Sequence, residues 1–205
     1  MRKALGVTFA VMAVACVMSA CGPRGGPATK EPAGAAPKEA RWGYVGGQTV
    51  KRDDAPVKNT NDKDIYLNER YDLTAYRIPV KNGAYMVKLH FAETYEGITD
   101  AGQRVFSVSI EGKPVLVNFD PYKEAGNQRL AAIVKQFGVE AKNGEMTIEF
   151  QPNVQKTMIN GIEVLGTPRT ATAGFELRIN CGAGEDYKDK AGHVWKRDQE
   201  FKAQP

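Results

Sequence analysis

The sequence predicts an all-β, antiparallel domain, a sandwich or a barrel. Short runs of alternating apolar and polar residues are separated by Gly- and Asn-rich turns at regular spacing, and no stretch sustains a helical period. Tyr76–Val80 reads as a strand closed by Lys81-Asn82-Gly83, and an Asn-Gly pair between two β-rich runs predicts a hairpin. In Tyr85–Phe91, Tyr85, Val87, Leu89 and Phe91 face one way, and Met86, Lys88 and His90 the other. Val105–Ile110 alternates too, turns at Glu111-Gly112-Lys113 and continues as Val115–Phe119. Leu130–Val139 fits either a strand or a short helix. A turn at Ala141–Gly144 precedes strands over Met146–Phe150 and Ile159–Leu165, and Phe175–Cys181 is the last strand.

The first forty residues read as something other than fold. Arg2-Lys3 precede an apolar run, Ala4–Met18, which is short for a membrane span. Val17-Met18-Ser19-Ala20-Cys21 resembles a bacterial lipobox, with Met18 where Leu is commoner. The resemblance implies a signal peptide over residues 1–20, cleavage before Cys21 and diacylglyceryl attachment to its thiol; plain secretion is the rival. Gly22 follows Cys21, and by the sorting rule that an Asp there retains a lipoprotein in the inner membrane, it favours the outer membrane if the cell has one. Residues 21–40 carry four prolines and four glycines after Cys21 and no large apolar side chain, so they form a tether. The predicted location is the bacterial cell envelope, lipid-anchored, with the folded domain over 41–205.

Charge and cysteine usage exclude several classes. Net charge is +4, and with Arg2 and Lys3 set aside 26 basic residues face 24 acidic ones, which is no footprint for nucleic acid. Removing Cys16 and Cys21 leaves Cys181 alone, so the domain has no intrachain disulfide, and a lone strand cysteine reads as a small buried hydrophobe. There is no GxGxxG after a strand and no P-loop, and no cofactor is expected. His90 and His193 lie far apart with no nucleophile motif, which argues against a triad and against His-based zinc. The run Asn59–Asp64 is rich in oxygen ligands but lacks the EF-hand pattern and reads as a turn-rich loop.

Five linked blocks resemble a malectin domain. They are Ile65–Tyr71, Tyr76–Val80, Asn82–Glu93, Gly102–Val108 and Asn160–Val164, in family order across roughly Trp42–Gly166. The resemblance implies a β-sandwich of the jelly-roll or galactose-binding-like kind that binds carbohydrate without catalysis. The family's opening segment, an Ile-Asn-Cys-Gly strand followed by Asp, Gly, Trp and Asp, stands at the far end here, as Ile179–Gly182 through Phe201. Either one domain is circularly permuted, with 175–205 supplying the family's first strand, or a second module is truncated. Permutation is the preferred reading, because 31 residues cannot bury a core alone and the upstream module would lack a strand. It predicts that Phe175–Cys181 pairs beside Ile162–Leu165, that Trp195 is buried, and that Asp186, Tyr187 and Asp189 come near the Tyr44 loop.

Sugar rings stack their C–H faces on aromatics and need paired polar groups for their hydroxyls. Loop tyrosines are Tyr44, Tyr66, Tyr71, Tyr95 and Tyr122. The resemblance places ligand contacts on Tyr44, Tyr71 and Tyr95. Glu96 stands where the family has another aromatic, and Asn153 and Gln155 lie only near the position of a late-loop Asp. The candidate carbohydrate site is therefore Tyr44, Tyr71, Tyr95, Glu96 and Asn153, for a glucose-containing oligosaccharide or envelope glycan. Each tyrosine also has a plain reading as half-buried packing, Glu69-Arg70 as a structural brace, and Trp195 as core. The alternatives are a protein-interaction or envelope-scaffold module without sugar binding, and a glycoside hydrolase, which needs two carboxylates about 5–10 Å apart from among Glu69, Glu93, Glu96 and Asp100.

Overall fold

The inward row Tyr85, Val87, Leu89 and Phe91 is wholly buried and forms the middle of the core. A computed structural model describes residues 42–203. In chain order the strands are β1 (Gly43–Lys51), β2 (Asn68–Pro79), β3 (Gly83–Phe91), β4 (Val105–Ile110), β5 (Lys113–Phe119), β6 (Ile133–Ala141), β7 (Glu145–Val154), β8 (Met158–Ile159), β9 (Gly161–Gly166), β10 (Glu176–Asn180), β11 (Tyr187–Lys188) and β12 (Val194–Arg197). Two short helices, α1 (Lys63–Leu67) and α2 (Pro121–Glu124), complete the described elements. One sheet runs β1-β2-β7-β4-β5, with β8 also on β2; the other runs β11-β12-β10-β9-β3-β6. All pairings between these strands are antiparallel except β10 with β12. The fold is therefore an antiparallel β-sandwich.

The sheets meet through large side chains. Phe91 on β3 packs on Phe106 and Phe119 of the opposite sheet, with ring centroids 5.9 and 4.8 Å apart. A smaller cluster, with Val57, Ile65, Tyr66, Leu67, Ala92 and Trp195, closes one end.

Two sequence expectations are corrected. The Asn82-Gly83 turn does not make a hairpin: β2 and β3 lie in different sheets, so the chain crosses the sandwich there. The Lys142–Gly144 turn also crosses, and the two turns satisfy each other. Val80 N–H donates to the Gly144 carbonyl at 3.0 Å, and Gly144 N–H donates to Asn82 Oδ1 at 2.7 Å. Second, Ile159–Leu165 is not one strand. Asn160, fully buried, accepts from Ala92 N–H and donates to the carbonyls of Tyr66 and Asn68, which switches the chain from β8 in one sheet to β9 in the other. The ambiguous Leu130–Val139 segment becomes β6, because β3 offers it a nine-residue antiparallel partner. Helix α1 has five residues, too few to show a period.

The C-terminal segment is part of the same sandwich. β10 pairs with β9, Glu176 opposite Leu165 through Asn180 opposite Gly161. Trp195 is buried, edge-on to His90 at 5.2 Å, with its Nε1–H donating to Asp189 Oδ2. The described ends touch: Tyr44 N–H donates to the Gln199 carbonyl, Phe201 N–H to the Tyr44 carbonyl, and Gln199 Nε2 to the Trp42 carbonyl. Gly43 is required at this seam, because a Cβ there would lie 2.3 Å from Phe201 N. Among the described residues no hydrogen bond or ion pair joins Asp186, Tyr187 or Asp189 to the Tyr44 loop; Asp186 bonds to Lys196 and Asp189 to His193 and Trp195. Tyr187 donates instead to Asp62, in the turn before α1.

Asp198 fastens this segment. Its carboxylate accepts from Arg70 Nε at 2.6 Å, Tyr76 OH at 3.0 Å, Gly182 N–H at 2.6 Å and Gln199 N–H at 3.0 Å. Removing one partner of a buried pair leaves a charge without compensation, at about 3–5 kcal/mol. Asp198→Ala should therefore lower a single cooperative melting transition of the whole domain, by roughly 10 °C. Lys196→Ala, which breaks the exposed pair with Asp186, should cost less than about 1 kcal/mol. Equal melting points for the two variants would show that 175–203 is an appendage.

Candidate functional site

Strand alternation builds one wall of a cleft. On β2, Arg70 turns inward to Asp198 while its neighbours Glu69 and Tyr71 line a cleft of about 330 Å³ together with Val50, Arg52, Tyr95, Arg104, Gln155 and Lys156. That volume lies at the lower end of small-ligand sites, about 300–1,000 Å³. Tyr71 OH donates to Gln48 Oε1 at 2.7 Å, and Lys156 Nζ sits 5.3 Å from the centroid of the Tyr71 ring. Tyr95 is 41% exposed on the loop after β3. Its ring folds over Gly97, where a Cβ would lie 2.5 Å from Tyr95 Cε1, so glycine at 97 leaves room for the ring in this position.

Below the tyrosines lies a buried polar floor. Thr94 Oγ1 donates to Glu69 Oε2 at 2.7 Å and accepts from Arg52 Nε at 3.3 Å. Glu93, fully buried, faces Arg104, Nε to Oε2 at 2.7 Å, although that N–H is not aimed at the oxygen. Glu93 Oε1 accepts from Tyr95 N–H at 3.0 Å, and Arg104 Nη1 donates to the Lys156 carbonyl at 3.0 Å. The floor thus ties the Tyr95 loop to the segment carrying Lys156. Burial, helped by the negative charge of Glu69, pushes the Glu93 carboxyl up to about 7 against the pull of Arg104.

Of the sequence candidates, Tyr71 and Tyr95 share the cleft; Tyr44, Glu96 and Asn153 are placed outside it. Tyr44 is covered by the Arg70 guanidinium, 3.2 Å from its ring centroid, because Arg70 must point inward to reach Asp198. Glu96 is exposed at the loop tip, outside the lining. Asn153 donates to Asn118 Oδ1 at 2.6 Å on the outer face of β7. Tyr66 is core, its OH 2.9 Å from His90 Nδ1. Glu69 and Arg70 do not pair with each other; they serve the cleft and Asp198 respectively. Arg52 and Lys156 carried no sequence signal. Arg104 lay within the Gly102–Val108 block without a reason to single it out.

A second polar cluster on the β3–β9–β10 face is sealed. Glu163 accepts from His90 Nε2 at 3.0 Å and Arg178 Nε at 2.9 Å, with Lys88 Nζ at 3.3 Å. Burial works to raise its carboxyl, but His90, Lys88 and Arg178 prevail and lower it to about 2. Asp62, in the oxygen-rich Asn59–Asp64 run, accepts from Tyr187 OH and Lys190 N–H. Among the described residues no group of three or more His, Cys, Asp or Glu is placed to hold a metal ion.

A family model described as "Malectin domain" matches residues 30–171. The chain belongs to the malectin domain family. Strands β10 to β12 lie outside the matched span. Receptor-like protein 4 of Arabidopsis thaliana is 35% identical over 131 residues, 62% of this chain and 20% of that protein. The Arabidopsis receptor-like protein kinase FERONIA is 33% identical over 98 residues, 45% of this chain and 11% of that protein. This malectin domain thus spans a fifth or less of those relatives' length. A β-glucuronidase from Bacteroides uniformis matches in structure with a TM-score of 0.54 at 25% identity, over 60% of this chain and 14% of that one. A plant complex titled as FER with the peptide RALF23 and LLG2 gives 0.53 at 18% identity, over 59% and 40%.

The raised Glu93 carboxyl makes stability depend on pH. Above its ordinary value of 4.5, the folded protein keeps a proton that the unfolded chain releases. Its contribution is therefore fully present below about pH 4.5 and lost as pH rises through about 7, worth at most about 3 kcal/mol. Glu93→Gln should flatten that part of the melting-temperature profile between pH 4.5 and 8. An unchanged slope would place the carboxyl at its ordinary value.

Proposed function

We propose that this malectin domain is a non-catalytic carbohydrate-binding module. The observation that carries the reading is the pairing of two tyrosines, Tyr71 and Tyr95, over a cleft whose remaining lining is mostly polar. Aromatic faces suit sugar C–H surfaces, and Gln155, Glu69 and the cations suit hydroxyls. The carboxylates are disposed for holding the site together: Glu93 is buried on Arg104, Glu69 is bonded to Thr94, and Glu96 lies outside.

Calorimetric titration of the full chain against a panel of oligosaccharides tests the reading. Tyr71→Ala and Tyr95→Ala should each weaken binding by roughly two- to tenfold, since stacking is worth about 0.5–1.5 kcal/mol, with melting points near wild type. Binding untouched by both changes would move the site elsewhere. Absence of binding to every sugar would favour the second reading, a peptide- or protein-interaction module. That reading draws on the fold shared with the FER–RALF23–LLG2 complex. Turnover of a glycoside, abolished in Glu93→Gln or Glu96→Gln, would instead establish a hydrolase.

The setting we propose is the bacterial cell envelope, with the module carried on the 21–40 tether from a lipid on Cys21. Both lie outside the described residues, and the support is the apolar run and the Val17–Cys21 pattern. Labelled palmitate should enter the expressed protein and be lost in Cys21→Ser; equal labelling of both would refute the anchor. We also read 175–203 as the family's opening segment carried at the other end of the domain. The β9–β10 pairing and the Trp42–Gln199 seam support that reading, and the Asp198→Ala melting experiment tests it.

A further inference from the structure

Arg52 stands out among the cations of the cleft. Its backbone is fixed by an N–H bond of 2.7 Å to the Leu67 carbonyl, at the end of α1. Its side chain makes one hydrogen bond, from Nε to the neutral hydroxyl of Thr94. Among the described residues no carboxylate lies within ion-pair distance of it, and Nη1 and Nη2 donate to nothing. A guanidinium held through Nε with its terminal fork open matches the two oxygens of a carboxylate or sulfate.

The surroundings add to this. Lys156 pairs with Asp72 at 2.9 Å, but both side chains are about half exposed, and such a pair contributes little and exchanges readily. Arg104 places a third positive charge in the lining. Glu69 supplies the only carboxylate of the lining, and its Oε2 is already bonded to Thr94. A neutral sugar gives Arg52 no better partner than water does. An anionic one gains a charge-assisted fork beside two aromatic faces.

We propose that the cleft selects an acidic sugar, its carboxylate or sulfate group held by the Arg52 fork with Lys156 beside it and the ring against Tyr71 and Tyr95. The inference rests on the carbohydrate reading and refines it. The test uses three disaccharides that differ at one position: one ending in glucuronate, its carboxyl-reduced glucose counterpart, and the 6-sulfated form of that glucose. Each is titrated into the full-length chain at low and at high salt.

At low salt the acidic forms should bind roughly ten- to a hundredfold more tightly than the neutral one, the range for a charge-assisted hydrogen bond, and high salt should narrow that ratio. In Arg52→Gln the acidic-to-neutral ratio should fall towards one, and in Lys156→Gln by a smaller factor, with both melting points near wild type. Preference for glucuronate alone, or for the sulfated form alone, supports the site and names its anion. Neutral sugar bound as tightly as both acidic forms, or a ratio that survives Arg52→Gln, overturns the inference and leaves the carbohydrate reading standing. No binding of any of the three, together with none across the wider panel, overturns both.

Discussion

The buried carboxylate of Asp198 is the constraint on which most of this domain depends. It comes from the last described residues and reaches the middle of β2 to hold Arg70 and Tyr76, while also taking N–H groups from Gly182 and Gln199. Burial pushes its carboxyl above the ordinary value, even with Arg70, the Gly182 N–H and Tyr76 pulling it down. A charge kept under those conditions has to be surrounded by donors, and those donors come from distant parts of the chain. The hub thereby fixes the turn after β10 against β2. Gly182 sits so close that a Cβ would lie 2.6 Å from the Glu69 carbonyl.

The same constraint shapes the cleft. Because Arg70 must face Asp198, strand alternation places Glu69 and Tyr71 on the cleft side. Arg70 also covers one face of the Tyr44 ring, which lies outside the cleft lining. The opposite wall is organised by Glu93 and Arg104, which bind the Tyr95 backbone and the Lys156 carbonyl. Two buried ion pairs therefore position the two tyrosines from opposite sides. Such pairs are weak contributors to stability compared with apolar packing, so their value here lies in fixing directions.

Much of the fold was legible in the sequence, for stated reasons. The alternation of Tyr85–Phe91 and the positive-φ turn at Glu111-Gly112 are local signals, and each made the strand or hairpin it indicated. The Asn82-Gly83 turn misled because chain reversal is local, while the choice between pairing and crossing the sandwich belongs to the partner turn at Gly144. Asn160 was unreadable for the same reason: its partners Tyr66, Asn68 and Ala92 are at least 68 residues away. The family resemblance singled out Tyr71 and Tyr95, which the structure brings together in one cleft. It could not locate Arg52, which no carboxylate reaches among the described residues, or Lys156, whose half-exposed pair with Asp72 is set by the fold. Glu96 and Asn153 were chosen by sequence proximity to family positions, and a loop tip and an outer strand face carry them away from the cleft.

The two ion pairs differ in a way that bears on how the cleft behaves. Asp198 has its oxygens filled by donors from several elements, which leaves the β2 wall little freedom. Glu93 and Arg104 are close, but the Arg104 Nε–H does not point at the carboxylate, and Glu69 adds a second negative charge nearby. With burial raising its carboxyl to about 7, a proton taken up by Glu93 leaves the charge of Arg104 unneutralised beneath the cleft. The aromatic wall is thus held in place while the charge of the floor can change. For a neutral ligand this matters little. For an anionic one, the field at the cleft strengthens as the medium becomes acidic, from a buried group outside the cleft lining.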